Sequence, residues 1–131
     1  MHSIEKAPYG LQCVFAGNIE NAEMDVWYQN VKQDIVSLPL EFGVFMDAQN
    51  LEGFSMGALI ILERGQRLFR AYGMVRSVVI IRSAEQKNIF QLLASKSGIS
   101  RWEQYVNASE TPDWENAGVL WVIHRDGSYL N

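Results

Sequence analysis

The stretch from Phe42 to Tyr72, FGVFMDAQNLEGFSMGALIILERGQRLFRAY, decides the fold. It opens on Phe42-Gly43-Val44-Phe45-Met46, an apolar run too short for a free-standing helix and right for a strand buried on both faces. Asp47 ends the run, and Ala48 to Phe54, carrying Asn50 and Gly53, reads as a polar loop. Ser55 then opens a long helix. Leu59, Leu62, Phe69 and Tyr72, with Ala58, Ile61 and Leu68 beside them, keep helical spacing and are expected to face the sheet. Glu63, Arg64, Gln66, Arg67 and Arg70 read as its wet face. The second strand of the unit is Val75 to Ile81, rich in β-branched residues and joined to the first by one helix. The pair is therefore expected to be parallel with a right-handed crossover.

Upstream, Ile4 to Ala16 reads as extended, interrupted by Pro8 and Gly10, its first piece an edge strand or hairpin arm. Gly17-Asn18 ends it. Asn18 or Asn21 can cap a helix on which Met24, Trp27, Val31, Ile35 and Leu38 follow 3-4-4-3 spacing until Pro39. Downstream, Gly73 terminates the central helix, and Ser83-Ala84-Glu85-Gln86 has the spacing of a capping box. That box starts a helix through Ile89, Phe90, Leu92 and Leu93, closed by Gly98. Arg101 to Val106 is a short strand. Thr111-Pro112-Asp113 starts a last helix whose Ala117, Leu120 and Trp121 pack on the core. The pattern predicts one α/β domain over 1–131, with a core over about 11–122, a polar tail over 123–131, and a mixed sheet with a parallel centre flanked by four helices.

The charge and composition narrow the function. The 131 residues suit one domain, and the apolar and charged fractions of 48% and 20% are those of an ordinary globular chain. A net charge of −4 argues against broad nucleic-acid binding. No apolar run is long enough for a membrane span, and the N-terminus lacks the pattern of a signal peptide, so a cytoplasmic protein is expected. Cys13 lies among apolar residues and reads as a small buried hydrophobe.

Catalytic patterns are scarce. His2 and His124 sit near opposite ends without a partner at metal-ligand spacing and read as solvated. No Gly-rich phosphate loop or nucleophile elbow occurs, and no metal or cofactor is expected. In a parallel unit, Asp47 and the pair Arg82-Ser83 leave the sheet at the same edge, towards which the helix starting near Ser55 points its N-terminus. Asp47, Ser55 and Arg82 could gather around a substrate, but no base stands beside the serine; the plainer reading is that they satisfy turns and caps. Phe54 and Met56, an aromatic and a flexible thioether at a polar turn, point to a small docking patch.

The order of elements resembles the STAS domain, the fold of the sporulation anti-sigma-factor antagonist, from about Leu11 to Trp121. Phe15-Ala16-Gly17-Asn18-Ile19 looks like that family's strand, glycine and helix entry. Val44-Phe45-Met46-Asp47, with Leu51 and Phe54-Ser55-Met56-Gly57-Ala58-Leu59, looks like its strand, loop and helix start. Gln86 to Leu92 with Ser97-Gly98-Ile99 looks like its penultimate helix, and Ala117 and Trp121 like the end of its last one. Phospho-switched members carry aspartate, two serines and glycine at the helix start. Here Ser55, Met56, Gly57 and Ala58 match them, which places Gly57 at the phosphoacceptor position.

The resemblance implies a binding module without that switch, with Ser55 as an unphosphorylated cap. The expected site is Asp47, Asn50, Phe54, Ser55, Met56, Gly57, Arg82 and Ser83, and its expected occupant is a regulatory protein partner; a homodimer is compatible with the same reading. The alternative is a carrier of a small apolar ligand, as suspected for STAS-like proteins that lack the serine. It rests on Trp27, Phe45, Phe69, Tyr72 and Phe90 on inner faces.

Overall fold

The apolar runs at Leu11–Phe15, Phe42–Met46 and Val78–Ile81 form the middle of the sheet in the computed structural model, which describes residues 1–123. They belong to β2 (Gly10–Ile19), β3 (Phe42–Phe54) and β4 (Met74–Ile81), with β1 (His2–Ala7) and β5 (Glu103–Asn107) at the edges. The spatial order β1-β2-β3-β4-β5 is the order of the chain. β1 forms an antiparallel hairpin with β2, and the other neighbours pair in parallel. The mixed sheet with a parallel centre is as the sequence predicts.

α1 (Asn21–Ile35), α2 (Met56–Tyr72) and α3 (Ala84–Ser97) make the three crossovers. Each advances the sheet in the same direction, so crossovers of one hand put all three helices on one face. There Trp27, Phe15, Phe69 and Phe90 are fully buried, and Trp27 meets Phe69 edge-on at 6.0 Å between ring centroids. A 3₁₀ turn (Ser100–Trp102) leads into β5. The fourth helix, α4 (Trp114–Ile123), is the one helix among the described residues on the opposite face, over Tyr9, Phe45, Val78 and Ile80. It lies close because residue 118 is glycine: a Cβ there would sit 2.5 Å from the Phe45 ring. Among the described residues no helix is long and apolar enough to cross a membrane.

Several sequence expectations change. The polar loop over Ala48–Phe54 is strand: β3 runs on to Phe54 because β2 runs beside it to Ile19, past Gly17-Asn18, pairing Gly17 with Leu51 and Ile19 with Phe54. α1 is capped by Glu20 without a side-chain bond and ends at Ile35, well before Pro39, so Leu38 packs from the following turn. Tyr72 is half-exposed and Phe45 lies on the α4 face, so neither joins Trp27, Phe69 and Phe90. Gln66 is buried rather than wet and accepts a bond of 2.8 Å from the Ser97 hydroxyl. On α4, Gly118 and Val122 are buried while Leu120 is exposed. His2 is not a solvated residue: it stands half-buried in β1, 2.9 Å from the Glu23 carboxylate. His124 and the expected tail lie outside the described residues. Cys13 is buried as expected, and burial pushes its thiol up to about 12.

The extra length of β3 creates a polar demand. β4 ends at Ile81, so beyond Asp47 the far edge of β3 has no strand beside it. Gln86, in the first turn of α3, fills the gap. Its Nε2 donates to the carbonyls of Gln49 and Leu51, both at 3.0 Å, while its Oε1 accepts from the backbone N–H of Arg82 at 2.7 Å and of Ser83 at 3.2 Å. The Ser83 hydroxyl accepts in turn from the Gln86 N–H, completing the capping box that the sequence predicts. One buried amide thus ties the β3 overhang, the end of β4 and the start of α3. Gln86→Leu leaves two buried carbonyls without donors and removes half of the box. It is expected to cost roughly 3 kcal/mol, read as a lower urea midpoint at unchanged slope.

A buried carboxylate sits at the other edge. Glu103 on β5 is 7% exposed, accepting from the Ser77 hydroxyl at 3.0 Å and from the Tyr105 hydroxyl at 2.5 Å. Burial outweighs these two bonds and pushes its pKa up from 4.5 to about 7. The folded protein holds this proton more tightly than the unfolded chain. The site therefore favours the fold fully below about pH 4.5, and that advantage is lost as pH rises through about 7. Relative to Glu103→Gln, which stays neutral, the wild type is expected to lose on the order of 3 kcal/mol across this window, measured by chemical denaturation at each pH.

Candidate functional site

The eight site residues expected from sequence divide into two places. Asp47 and Arg82 do leave the sheet at one edge, and they meet through Gln49. The Arg82 Nε donates to Gln49 Oε1 at 3.0 Å, and the Gln49 amide and backbone N–H both donate to Asp47 Oδ1 at 3.1 Å. Ser83 is spent on the α3 cap and borders a hollow of about 570 Å³ of mixed lining, with Lys87, Tyr105 and Thr111 beside Ile81 and Val106. Asn50 is exposed on the β3 overhang, paired with Ala16.

The other group lies further along β3, at the start of α2. Phe54 is not a surface aromatic. It is half-buried and packs its ring edge-on against Phe15 at 5.5 Å and Phe90 at 6.2 Å. Ser55 is the N-cap of α2: its hydroxyl accepts from the Ala58 N–H at 3.1 Å and donates to Asn21 Oδ1 at 2.5 Å. Both the donor and an acceptor site of that hydroxyl are engaged, which is the capping role expected for it. Asn21, expected as a candidate cap of α1, instead serves α2. Its side chain also explains Gly57, since a Cβ there would come within 2.2 Å of the Asn21 amide. A serine at this position has no room while Asn21 keeps its place. Asp47, Ser55 and Arg82 do not converge, because Ser55 turns to Asn21 and Asp47 to Gln49.

Met56 alone of the expected apolar pair reaches solvent, and it is 83% exposed. It belongs to a groove of about 180 Å³ between α2 and α3. Met56, Leu59 and Ile60 form one wall and Ile89, Leu92 and Leu93 the other, while Glu63 and Lys96 close one end. Ile60 and Leu92 are 60% and 56% exposed, so three large apolar side chains face water around one depression. The charged end is fixed: Arg67 pairs with Glu63 at 3.1 Å and donates to the Lys96 carbonyl at 2.6 Å. Sequence reasoning missed Ile60 and Leu92. The signal was present, since Met56, Ile60, Glu63 and Arg67 fall at i, i+4, i+7 and i+11 on one stripe opposite Leu62 and Phe69.

No family model matches the chain, and no curated protein matches it in sequence. Among solved structures it is similar to an uncharacterised protein of the DUF3478 family from Shewanella loihica PV-4, described as having a SpoIIAA-like fold. The TM-score is 0.66, over 93% of this chain and 92% of that one. The chain has a SpoIIAA-like fold. This is the STAS, or anti-sigma-factor antagonist, fold that the succession of elements resembles. At 13% sequence identity the likeness speaks for architecture and leaves the site to be argued from its own residues.

On this SpoIIAA-like fold, the start of the central helix is held by neutral hydrogen bonds from Ser55 and Asn21. Ser55→Ala is expected to cost about 1 kcal/mol of stability. It should leave the groove between α2 and α3 unchanged in shape, so that thermal denaturation registers the change and the circular dichroism spectrum of the folded protein does not.

Proposed function

We propose that the protein is a non-enzymatic regulatory module of STAS-like architecture that binds another protein through the groove between α2 and α3, without a phosphoserine switch. The observation that carries this reading is the exposure of Met56, Ile60 and Leu92 around one depression. Large apolar side chains scattered singly over a surface need no explanation, but three lining a common groove with a charged rim are the composition of a docking site. The absence of the switch is supported by the chemistry of the helix start: Gly57 carries no hydroxyl, and the Ser55 hydroxyl is engaged as a cap. The expected binding region from Asp47 to Gly57 narrows to its last residues, because Phe54 belongs to the core.

The carrier alternative rests on the same apolar lining, now at the surface, since Trp27, Phe69 and Phe90 pack among the core residues. Cross-linking and pull-down from the native lysate, with the wild type beside Met56→Asp and Leu92→Asp, tests the proposal. These positions are exposed, so the variants are expected to fold with stability within about 0.5 kcal/mol of the wild type and to lose the captured partner. Capture unchanged in both variants would place the interface elsewhere. A native mass spectrum with a small-molecule adduct that the same variants lose would favour the carrier.

A further inference from the structure

We propose that β5 is a proton-operated clasp on the edge of the sheet: Glu103 fastens the strand in its protonated form, and its ionisation lets residues 100–107 lift away from β4 while the other four strands stay paired. The clasp lies at the sheet edge and does not depend on what occupies the α2/α3 groove.

The seating of the strand is the first observation. β5 has five residues, is the last strand of the sheet and pairs with β4 alone. Glu103 is its one buried side chain, since Gln104 is exposed and Tyr105, Val106 and Asn107 are half-buried. A strand seated by apolar side chains is held at every pH, whereas this one is seated by a carboxyl group. The segment also has natural limits. Before it, Ile99 is buried and its N–H donates to the Ala94 carbonyl; after it, the Ala108 N–H donates to the Ile81 carbonyl. β4 keeps its place without β5, because it stays paired with β3 and the Trp121 indole of α4 donates to the Ser77 carbonyl at 2.8 Å.

The surroundings of Glu103 suit its neutral form. The Ser77 and Tyr105 hydroxyls each give it one hydrogen bond, and burial pushes the Tyr105 phenol up, so that it stays a donor. Among the described residues no cation pairs with the carboxylate. The nearby cations are turned elsewhere. Arg70 of α2 donates to the Met74 carbonyl and lies over the Trp102 ring at 4.0 Å. Arg101 of the 3₁₀ turn lies over the same ring at 5.3 Å, and Lys87 of α3 over the Tyr105 ring at 5.9 Å. Arg67 is held by Glu63 and the Lys96 carbonyl, Lys96 lines the α2/α3 groove, and Glu85 stands in the first turn of α3. On the other face Arg76 of β4 stacks on Trp121 at 4.0 Å, and Glu115 of α4 acts on Tyr9. Ionised Glu103 is therefore a buried charge without a counter-ion. Water relieves it, and β5 reaches water by giving up a single ladder at a free edge. Release uncovers the β4 edge over residues 77–81 and opens the hollow that Tyr105, Val106 and Asn107 help to wall.

Native-state hydrogen exchange of the full chain in low urea, at about pH 6 and about pH 8 and corrected for the intrinsic pH dependence of exchange, tests the clasp. The β5 amides bonded to β4 are expected to open in a local event of shallow urea dependence, with less protection than the amides of residues 11–15 and 44–46 in the core strands. With a pKa of 4.5 for the freed carboxyl and about 7 for the closed one, their opening should rise about tenfold between the two conditions. Glu103→Gln should remove that rise. Tyr105→Phe, which deletes a donor to the ionised carboxylate, should move the release to higher pH. If the β5 amides share the protection and urea slope of the core, the proton acts on global unfolding alone and the clasp is overturned. A local opening equal at both pH values, or a tenfold rise that persists in Glu103→Gln, overturns it as well.

Discussion

The side-chain amide of Gln86 is the contact on which the end of the molecule that carries the β3 overhang depends. A parallel sheet whose strands have unequal length leaves backbone carbonyls facing nothing, and a buried carbonyl without a donor is costly. β3 outruns β4 by several residues, and Gln86 supplies the missing donors while its oxygen holds the turn into α3. All four of its strong hydrogen-bonding capacities are used. Because the same residue is the third of α3, the helix start is fixed relative to the β3 overhang. α3 forms one wall of the groove, and the overhang ends where α2, the other wall, begins.

The division of the sheet into two unequal faces follows from the same topology. Three sequential crossovers load three helices on one side and leave the other to α4. The crowded side fills its interior with Trp27, Phe15, Phe69 and Phe90, so α2 and α3 must turn some apolar side chains outward between them. Met56, Ile60 and Leu92 are those side chains. Neither helix needs them for its own core contacts. The polar network of Asp47, Gln49 and Arg82 braces the strand ends near Gln86 and lies apart from the groove.

Much of the architecture was legible in the sequence because strong local signals agreed with the global fold. The buried runs, the 3-4-4 spacing of Met24, Trp27, Val31 and Ile35, the Ser83 capping box and the glycine stops at Gly73 and Gly98 each map onto the observed elements. The β3 overhang was hidden because Ala48 to Phe54 has the composition of a turn, and only a neighbouring strand of matching length makes it a strand. Of the site, Met56 could be read and its partners could not. Leu92 and Ile60 come from helices whose juxtaposition is a tertiary fact, and Phe54 looked like a surface residue until the rings of Phe15 and Phe90 enclosed it. The role of Asn21, which reaches across to Ser55 and excludes a side chain at Gly57, joins residues 34 apart and carries no local signature.

The identity of chain order and sheet order bears on synthesis. Each new strand joins the edge left by the one before it, so the sheet can grow as the chain emerges, with every crossover helix docking on a platform already laid down. The opposite face has no such sequence of events. Among the described residues, α4 is the helix that covers Tyr9, Phe45, Val78 and Ile80. During translation an otherwise assembled sheet therefore keeps one bare apolar side until α4, which follows β5 in the chain, has left the ribosome.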